Sequence, residues 1–157
     1  MSASRAEPLA ALLQLRWADT DGYGHVNNVT WVRYLEEARI RLFGLPDRPD
    51  TADPRVPRVF DRFGSDVFTI TAAQRLSYER ELPYRAQEIR VEGWVSRIGS
   101  STVDLSFAVW DAGRAERYLV AETVQAVRDR ATRGAHRFDA AERAVLEEYR
   151  GDPVGFR

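Results

Sequence analysis

A strong helical pattern followed by a series of strand patterns is the feature of this sequence that most restricts its fold. Over residues 29–45, apolar side chains recur at three- and four-residue spacing, which is the period of an amphipathic helix. Asn27 or Asn28 can cap the start of this helix, and Gly44 followed by Pro46 predicts its end. A helix with one apolar face needs a second layer to cover that face.

The second layer is predicted to be an antiparallel sheet. Four stretches rich in β-branched and aromatic residues follow the helix, at residues 67–78, 88–98, 102–111 and 118–128. Turns that contain Gly99 and Gly113 join the last three, which indicates antiparallel pairing. Residues 12–18 alternate in polarity and predict a first strand before the helix. We therefore predict an α+β fold in which an antiparallel sheet wraps around one long central helix.

The remaining segments are short or irregular. The chain of 157 residues fits one domain with a single core, and we predict that residues 1–8 are disordered. Residues 46–66 are rich in proline and have no lasting period, so they predict a loop, either a pocket wall or a surface crossover. Asp139 and Glu142 have capping-box spacing at the start of a C-terminal helix over residues 139–150.

Composition excludes several classes of function. The 23 basic and 24 acidic residues give a net charge of −1, which provides no general attraction to nucleic acid or to an anionic membrane. The chain has no cysteine, so thiolate metal sites and cysteine nucleophiles are excluded. No apolar run reaches the roughly 20 residues of a membrane-spanning helix, and the N-terminus has no signal-peptide pattern. We therefore expect a cytoplasmic protein without nucleic-acid or membrane partners.

The turn before the helix gathers the groups most able to do chemistry. Asp21 supplies a carboxylate, and Gly22 and Gly24 supply a flexible backbone. The helix start then offers unpaired N–H groups that can face a ligand oxygen. Asp21 also has a simpler interpretation, in which its carboxylate only accepts a turn-forming hydrogen bond.

The residues of this turn carry a family resemblance. The pattern D-x-D-x-x-G-H-V-N-N at residues 19–28, followed by Trp31, Tyr34 and E-E-A-R at residues 36–39, resembles the signature of hotdog-fold acyl-CoA thioesterases of the 4-hydroxybenzoyl-CoA thioesterase group. It also resembles a segment of plant acyl-ACP thioesterases. The resemblance implies a hotdog fold, hydrolysis of an acyl-CoA or acyl-ACP thioester, and no cofactor apart from the CoA of the substrate.

The resemblance also assigns catalytic candidates. Asp21 matches the catalytic acid, which acts as general base or nucleophile, whereas Asp19 matches a structural position. His25 matches an active-site histidine of the plant enzymes, although it can equally stabilise the turn. Asn28 can cap the helix, direct its side chain and N–H at the thioester carbonyl, or do both. Tyr23 stands where the plant pattern has asparagine, which is a departure from that mechanism.

Further residues are expected to bind substrate. Gly24, Asn27 and Trp31 belong to the same motif, and Tyr78 and Glu81 match a later Y-x-R-E segment of the plant enzymes, where Glu81 has the alternative of a solvated charge. Basic and polar side chains near strand ends are candidates for the nucleotide phosphates, because arginine donates two hydrogen bonds to two oxygens. These candidates are Arg97, Ser100, Ser101 and Arg128.

Other chemistries find little support in the sequence. There is no G-x-S-x-G motif, no P-loop and no dinucleotide fingerprint, and His25 and His136 lack metal-ligand spacing, so we expect no metal site. A hotdog hydratase would need asparagine-proline between the acid and a histidine five residues later, which this chain lacks. A binding module that keeps the acyl-thioester groove without the chemistry remains an alternative.

We expect the active species to be a homodimer or a homotetramer. Exposed strand edges are normally covered or paired, and the resemblance implies a site built from two subunits. Trp94 and Trp110 are expected on the free face of the sheet. There they either join dimers into a tetramer or lie beneath the C-terminal helix.

Overall fold

The fold consists of five strands and two helices, seen in a computed structural model that describes residues 7–51, 53–56 and 59–156. The prediction of disorder for residues 1–8 falls mostly on residues 1–6, which lie outside the described residues. The described elements are, in chain order, β1 (Leu9–Leu13), α1 (Asn28–Phe43), β2 (Val67–Tyr78), β3 (Ile89–Ile98), β4 (Thr102–Asp111), β5 (Arg117–Asp129) and α2 (Ala140–Glu147).

The strands form one antiparallel sheet with the order β1-β3-β4-β5-β2. The predicted α+β fold is therefore confirmed, as are the four long strands to within one residue at each end. In this order β2 lies at an edge of the sheet, and eleven of its twelve residues pair with β5. Residues 70–75 of β2 are exposed whichever way their side chains point, so among the described residues no strand covers this edge in one protomer.

Helix α1 contributes fully buried residues to the core. Its residues Leu35, Ala38, Leu42 and Phe43 are at most 1% exposed, as the sequence pattern predicts, and the helix packs against β1 and β3. Gly93 of β3 permits this close contact, because an added Cβ would lie 3.1 Å from the ring of Phe43. The exposed side of the helix carries an ion pair, in which Arg41 Nε donates to Glu37 Oε1 over 2.7 Å.

Two expectations about local structure were wrong. The first strand covers Leu9–Leu13 instead of residues 12–18, because β3 begins at Ile89, the partner of Leu13, and so offers no partner to residues 14–18. Trp17 begins a short 3-10 helix, Trp17–Asp19, and is 75% exposed. Residues 46–66 are also more than a loop, because they contain the 3-10 helices Pro49–Thr51 and Phe60–Phe63.

The second of these 3-10 helices belongs to the core. Phe60 is fully buried against Phe43, with ring centroids 6.3 Å apart, and Phe63 meets Phe138 at 5.8 Å. The C-terminal helix α2 closes this end of the core through Leu146, which is fully buried. Its predicted capping box forms between Asp139 and Glu142.

Trp94 and Trp110 lie on the face of the sheet opposite α1. Both are partly buried and border a space whose other wall is residues 151–155. The covering segment is thus the chain that follows α2, and not α2 itself. Among the described residues, no helix is both long and apolar enough to cross a membrane.

Candidate active site

The turn between β1 and α1 is a compact hydrogen-bonded loop. The Asp21 N–H donates to the His25 carbonyl over 2.9 Å, and the Gly24 N–H donates to the Asp21 carbonyl over 3.0 Å. Gly24 has φ +80°, a left-handed conformation that side chains other than glycine rarely adopt. Gly24 therefore shapes the turn that presents Asp21.

Both ends of this turn are anchored to the rest of the protein. The Val26 N–H donates to the Leu82 carbonyl over 2.8 Å, which ties the turn to the segment after β2. Asp19 Oδ2 accepts hydrogen bonds from the Arg16 N–H at 2.9 Å and from the buried Tyr34 hydroxyl at 2.5 Å. Asp19 thus has a structural position between the turn and α1.

The start of α1 divides two tasks between adjacent asparagines. Asn27 is the cap, because its Oδ1 accepts from the Val29 N–H at 2.9 Å and its carbonyl accepts from the Thr30 N–H at 2.9 Å. The Asn28 N–H has no acceptor in the part of the chain that the structure describes. It is therefore free to donate to a ligand oxygen, with the positive end of the helix dipole behind it.

A pocket of about 450 Å³ opens between this turn and the end of β2. His25 Nε2 lies 3.2 Å from Glu81 Oε2 in this pocket, and the Tyr78 hydroxyl donates to the Asn28 carbonyl at 3.4 Å. Six residues that the sequence singled out line the pocket together: Asp21, His25, Asn28, Trp31, Tyr78 and Glu81. The pocket thus joins the helix start to a chain segment some 50 residues later.

The two oxygens of the Asp21 carboxylate have different surroundings: one accepts a hydrogen bond and the other has no donor among the described residues. Its Oδ1 accepts from the Tyr23 N–H over 2.9 Å, which is the turn-forming bond that its simpler interpretation requires. No donor to its Oδ2 is present among the described residues. One oxygen thus fixes the carboxylate while the other remains able to accept a proton or attack a carbonyl carbon.

Four pocket residues were missed by sequence reasoning, namely Val26, Glu79, Arg80 and Leu82. Glu79 forms a bidentate ion pair with Arg117 of β5, whose Nε donates over 2.7 Å and whose Nη2 donates over 2.9 Å. The segment that resembles Y-x-R-E contains Glu79 and Arg80, so it was a usable signal for both. The contact of Leu82 with the turn had no local signal.

The proposed phosphate-binding residues lie elsewhere in the protomer. Arg128 pairs with Phe68 near the start of β2, whereas Tyr78 ends β2 and pairs with Leu119. The nine steps along the chain from Leu119 to Arg128 correspond to roughly 30 Å of strand. The turn that contains Ser100 lies at the same distant end of the sheet as Arg128.

Arg97, Ser100 and Ser101 also have local contacts. Arg97 lies 3.6 Å from Asp104, and the Ser101 carbonyl accepts from the Val127 N–H over 2.9 Å. These residues are not brought to Asp21 within one chain. Within the described residues, no three acidic or histidine side chains are positioned to hold a metal ion.

The fold agrees with the class of proteins that the sequence resembles. A five-stranded antiparallel sheet with a helix packed on it is consistent with hotdog-type proteins of similar structure. The sequence profile of the Thioesterase-like superfamily matches residues 15–148. The chain therefore belongs to the thioesterase-like superfamily.

One relative is similar in sequence, and solved structures are similar in fold. An uncharacterized protein of Bacillus subtilis strain 168, YsmA, is 30% identical over 96 residues, which cover 60% of this chain and 56% of that relative. A predicted thioesterase from Bacillus stearothermophilus has a similar fold, with a TM-score of 0.73 at 20% identity over 93% of this chain and 98% of that one. A thioesterase from Thermus thermophilus, complexed with coenzyme A and zinc, gives 0.67 at 22% identity over 90% and 94%.

Proposed function

We propose that this protein hydrolyses an acyl thioester, with acyl-CoA as the substrate, to a free carboxylic acid and a thiol. The observation that carries the proposal is that Asp21 and Asn28 line one pocket, where each keeps a group without a partner among the described residues. Thioester hydrolysis needs a base or nucleophile together with a donor for the oxyanion. The Asp21 carboxylate and the Asn28 N–H supply these two requirements.

Two routes are chemically balanced at this site. As general base, Asp21 takes a proton from water while the water oxygen attacks the carbonyl carbon; the C–S bond then breaks and the thiolate receives a proton. As nucleophile, Asp21 attacks directly, expels the thiolate and forms an anhydride that water cleaves. In both routes the Asn28 N–H faces the oxyanion. Single turnover in ¹⁸O-labelled water distinguishes the two routes. On the first route the label enters the released acid. On the second route it enters the Asp21 carboxylate when water attacks the Asp21 carbon of the anhydride.

His25 and Glu81 are proposed to support this chemistry as a pair. The 3.2 Å separation of their polar atoms allows Glu81 to orient the imidazole. In that orientation His25 can deliver a proton to the leaving thiolate or hold the turn that carries Asp21.

We further propose that the nucleotide of CoA meets a second protomer. The free edge of β2 can pair with β2 of a partner in antiparallel fashion, which brings the start of the partner's strand near Tyr78 of this chain. Within one chain Arg128 lies roughly 30 Å from the pocket. In the dimer, Arg128 of the partner subunit would approach the pocket of this chain. The CoA in the similar Thermus thermophilus thioesterase supports CoA as the carrier.

Several finer assignments from the sequence belong to the same proposal. We propose that α1 is the central helix of the hotdog fold, that the protein belongs to the 4-hydroxybenzoyl-CoA thioesterase group, and that it acts in the cytoplasm. The acyl-ACP alternative is tested by offering the same acyl group on both carriers. A higher kcat/KM for the ACP ester would replace CoA as the carrier.

A panel of acyl-CoA esters, assayed for released thiol, tests the main proposal. We expect hydrolysis of at least one ester by the wild-type protein, and a loss of roughly a hundredfold or more in turnover for folded Asp21→Asn, because the amide cannot act as base or nucleophile. Near-normal turnover by this variant would refute the role of Asp21. Binding of several esters without hydrolysis of any would favour the non-catalytic binding module.

A further inference from the structure

The outer face of the sheet, which is turned away from α1, carries a row of residues that runs across four strands. Trp94 of β3 pairs with Ser106 of β4, Ser106 pairs with Glu122 of β5, and Glu122 pairs with Arg75 of β2. Residues paired in this way point to the same face of a sheet. Residues 151–156, which we call the strap, follow this row.

The first half of the strap is attached to β3 and β4 by hydrogen bonds. Trp94 Nε1 donates to the Asp152 carbonyl over 2.7 Å, and the Val154 N–H donates to Ser106 Oγ over 3.2 Å. The strap therefore advances by two residues, from Asp152 to Val154, as it passes from β3 to the neighbouring strand β4. At its first residue the strap still pairs with β3, since the Gly151 N–H donates to the Val95 carbonyl over 2.9 Å, and from there the chain crosses the strands.

The second half reaches the far edge of the sheet. The Arg75 guanidinium carbon lies 4.1 Å from the centre of the Phe156 ring, which is a cation–π contact. From Asp152 to Phe156 an extended chain covers roughly 13 Å, and three strand spacings amount to roughly 14 Å. The strap is therefore an extended segment that spans the sheet from β3 to β2.

The strap is loosely packed on the sheet. A space of about 490 Å³ remains beside it, bordered by Trp94, Ala108, Trp110 and strap residues. Trp110 Nε1 is buried without an acceptor among the described residues, and an unmet donor of this kind costs stability. A cover that leaves unfilled space beneath it is displaced at smaller cost than a well-packed one.

The surface near the strap is suited to contact between sheets. Ala108 and Val120 pair across β4 and β5 in the next row and are 3% and 1% exposed, and Trp94 adds an aromatic ring. Aligned sheets stack through small and apolar side chains on their facing surfaces. We propose that the strap covers a self-association surface, and that its displacement lets the outer faces of two copies of this chain pack together.

A second copy is the occupant that the charges of this face favour. Glu122 and Arg75 are neighbours in the row, so a copy related by a two-fold axis can set its Arg75 against Glu122 and its Glu122 against Arg75. The same surface then serves both partners, which is the requirement of an isologous interface. In the closed state the strap holds the protein in the lower oligomeric state.

Gly151 and Gly155 provide a matched pair of test positions within the strap. A Cβ at Gly151 would lie 2.6 Å from Trp94 Cδ1, whereas a Cβ at Gly155 would meet nothing within 4 Å. Gly151→Val combined with Phe156→Ser therefore removes the strap at both ends, and Gly155→Val is the control. Both variants keep the full chain.

The test combines amide hydrogen exchange of residues 151–156 with sedimentation at several protein concentrations. We expect faster exchange in the release variant and a mass twice that of the wild type, while the control matches the wild type in both. Fast exchange at unchanged mass would overturn the proposal. Unchanged exchange would overturn it as well, because these contacts would then not hold the strap.

Addition of Ala108→Glu to the release variant separates specific association from general loss of folding. A charge at the centre of the uncovered face should return the mass to that of the wild type, because sheet packing would bury it. The same rescue is expected if the release variant precipitates. Precipitation or a doubled mass that persists with Ala108→Glu would contradict the proposed surface.

Discussion

At the scale of single residues, the contact between Tyr34 and Asp19 connects α1 to the turn that carries Asp21. Tyr34 is 8% exposed and donates to a carboxylate that also receives the Arg16 N–H. Removal of the hydroxyl leaves a charged acceptor with one partner fewer, at a cost of about 1.5–3 kcal/mol. The turn then loses part of its attachment to the helix.

We expect Tyr34→Phe to lower the free energy of unfolding by that amount and to reduce kcat more than it changes KM, because Asp21 becomes less well positioned. Denaturant titration and steady-state kinetics measure the two effects. Tyr23→Phe is the control, since Tyr23 lies in the same turn but is 86% exposed. Equal effects of the two substitutions would contradict the positioning role.

The same residue predicts a response of stability to alkaline pH. Burial, followed by the hydrogen bond and the charge of Asp19, raises the pKa of Tyr34 above its ordinary value of 10.0. The unfolded chain therefore loses this proton near pH 10 while the folded protein keeps it. The stability that Tyr34 contributes is complete below pH 10 and decreases as pH rises above it.

The stability difference between wild type and Tyr34→Phe should therefore shrink above pH 10, by up to about 1.4 kcal/mol per pH unit. Tyr118 and Tyr149 also have raised pKa values, but both are present in the two proteins and cancel in the difference. Urea titrations between pH 8 and 11 measure it. A difference that stays constant over this range would show that Tyr34 ionises alike in both states.

At the scale of secondary structure elements, the two asparagines at the start of α1 have different roles. Asn27 caps the helix, whereas the Asn28 N–H is proposed to face the substrate. Asn27→Ala should destabilise the protein by about 1 kcal/mol, because the cap to the Val29 N–H is lost. Asn28→Ala should leave stability nearly unchanged, since its side chain is exposed and caps nothing in the described chain. Thermal unfolding of both variants checks this, and larger destabilisation by Asn28→Ala would reverse the assignment.

The elements show which parts of the structure the sequence could predict. The strands β2 to β5 are rich in β-branched and aromatic residues, and glycine turns join β3 to β4 and β4 to β5, so local pattern was sufficient for them. The bounds of β1 depend on which residues of β3 are free to pair, and such a non-local property has no signal in the alternation of residues 12–18. Phe60 and Phe63 are buried by packing against α1 and α2 rather than by any period of their own.

The site divides in the same way. Motif residues that follow one another in the chain, such as Asp21 and Asn28, were predicted to lie together and do so. Leu82 joins them through a backbone hydrogen bond to Val26, and no side-chain chemistry marks such a bond in the sequence. The strap was missed for a related reason, because its attachment depends on carbonyl and N–H groups that every residue possesses.

At the scale of the whole molecule, one protomer holds the parts of the proposed site at two distant ends of the sheet. Asp21 and Asn28, the groups proposed to react, lie near the end of β2, and Arg128 lies near its start. Antiparallel pairing of two β2 edges places the start of one β2 beside the end of the partner's β2. Each of the two equivalent sites in such a dimer would take Asp21 from one chain and Arg128 from the other.

Subunit mixing gives a direct prediction for this shared site. Asp21→Asn and Arg128→Ala dimers are each expected to be impaired at low acyl-CoA concentration. Unfolding and refolding of an equal mixture makes half of the dimers mixed, and each of these has one site with both native residues. We therefore expect recovery to about a quarter of the wild-type activity.

The control mixture combines Asp21→Asn with Asn28→Pro, two substitutions in the same pocket of one chain. Proline at this first helical position removes the N–H that is proposed to face the oxyanion, and it is compatible with a helix start. Every site of that mixed dimer carries one of the substitutions, so no recovery is expected. Recovery in the first mixture alone would place Asp21 and Arg128 on different subunits of one site. If neither mixture recovers activity while sedimentation shows that mixed dimers have formed, Arg128 does not act across the interface, and the phosphate-binding residues must be sought on the chain that supplies Asp21.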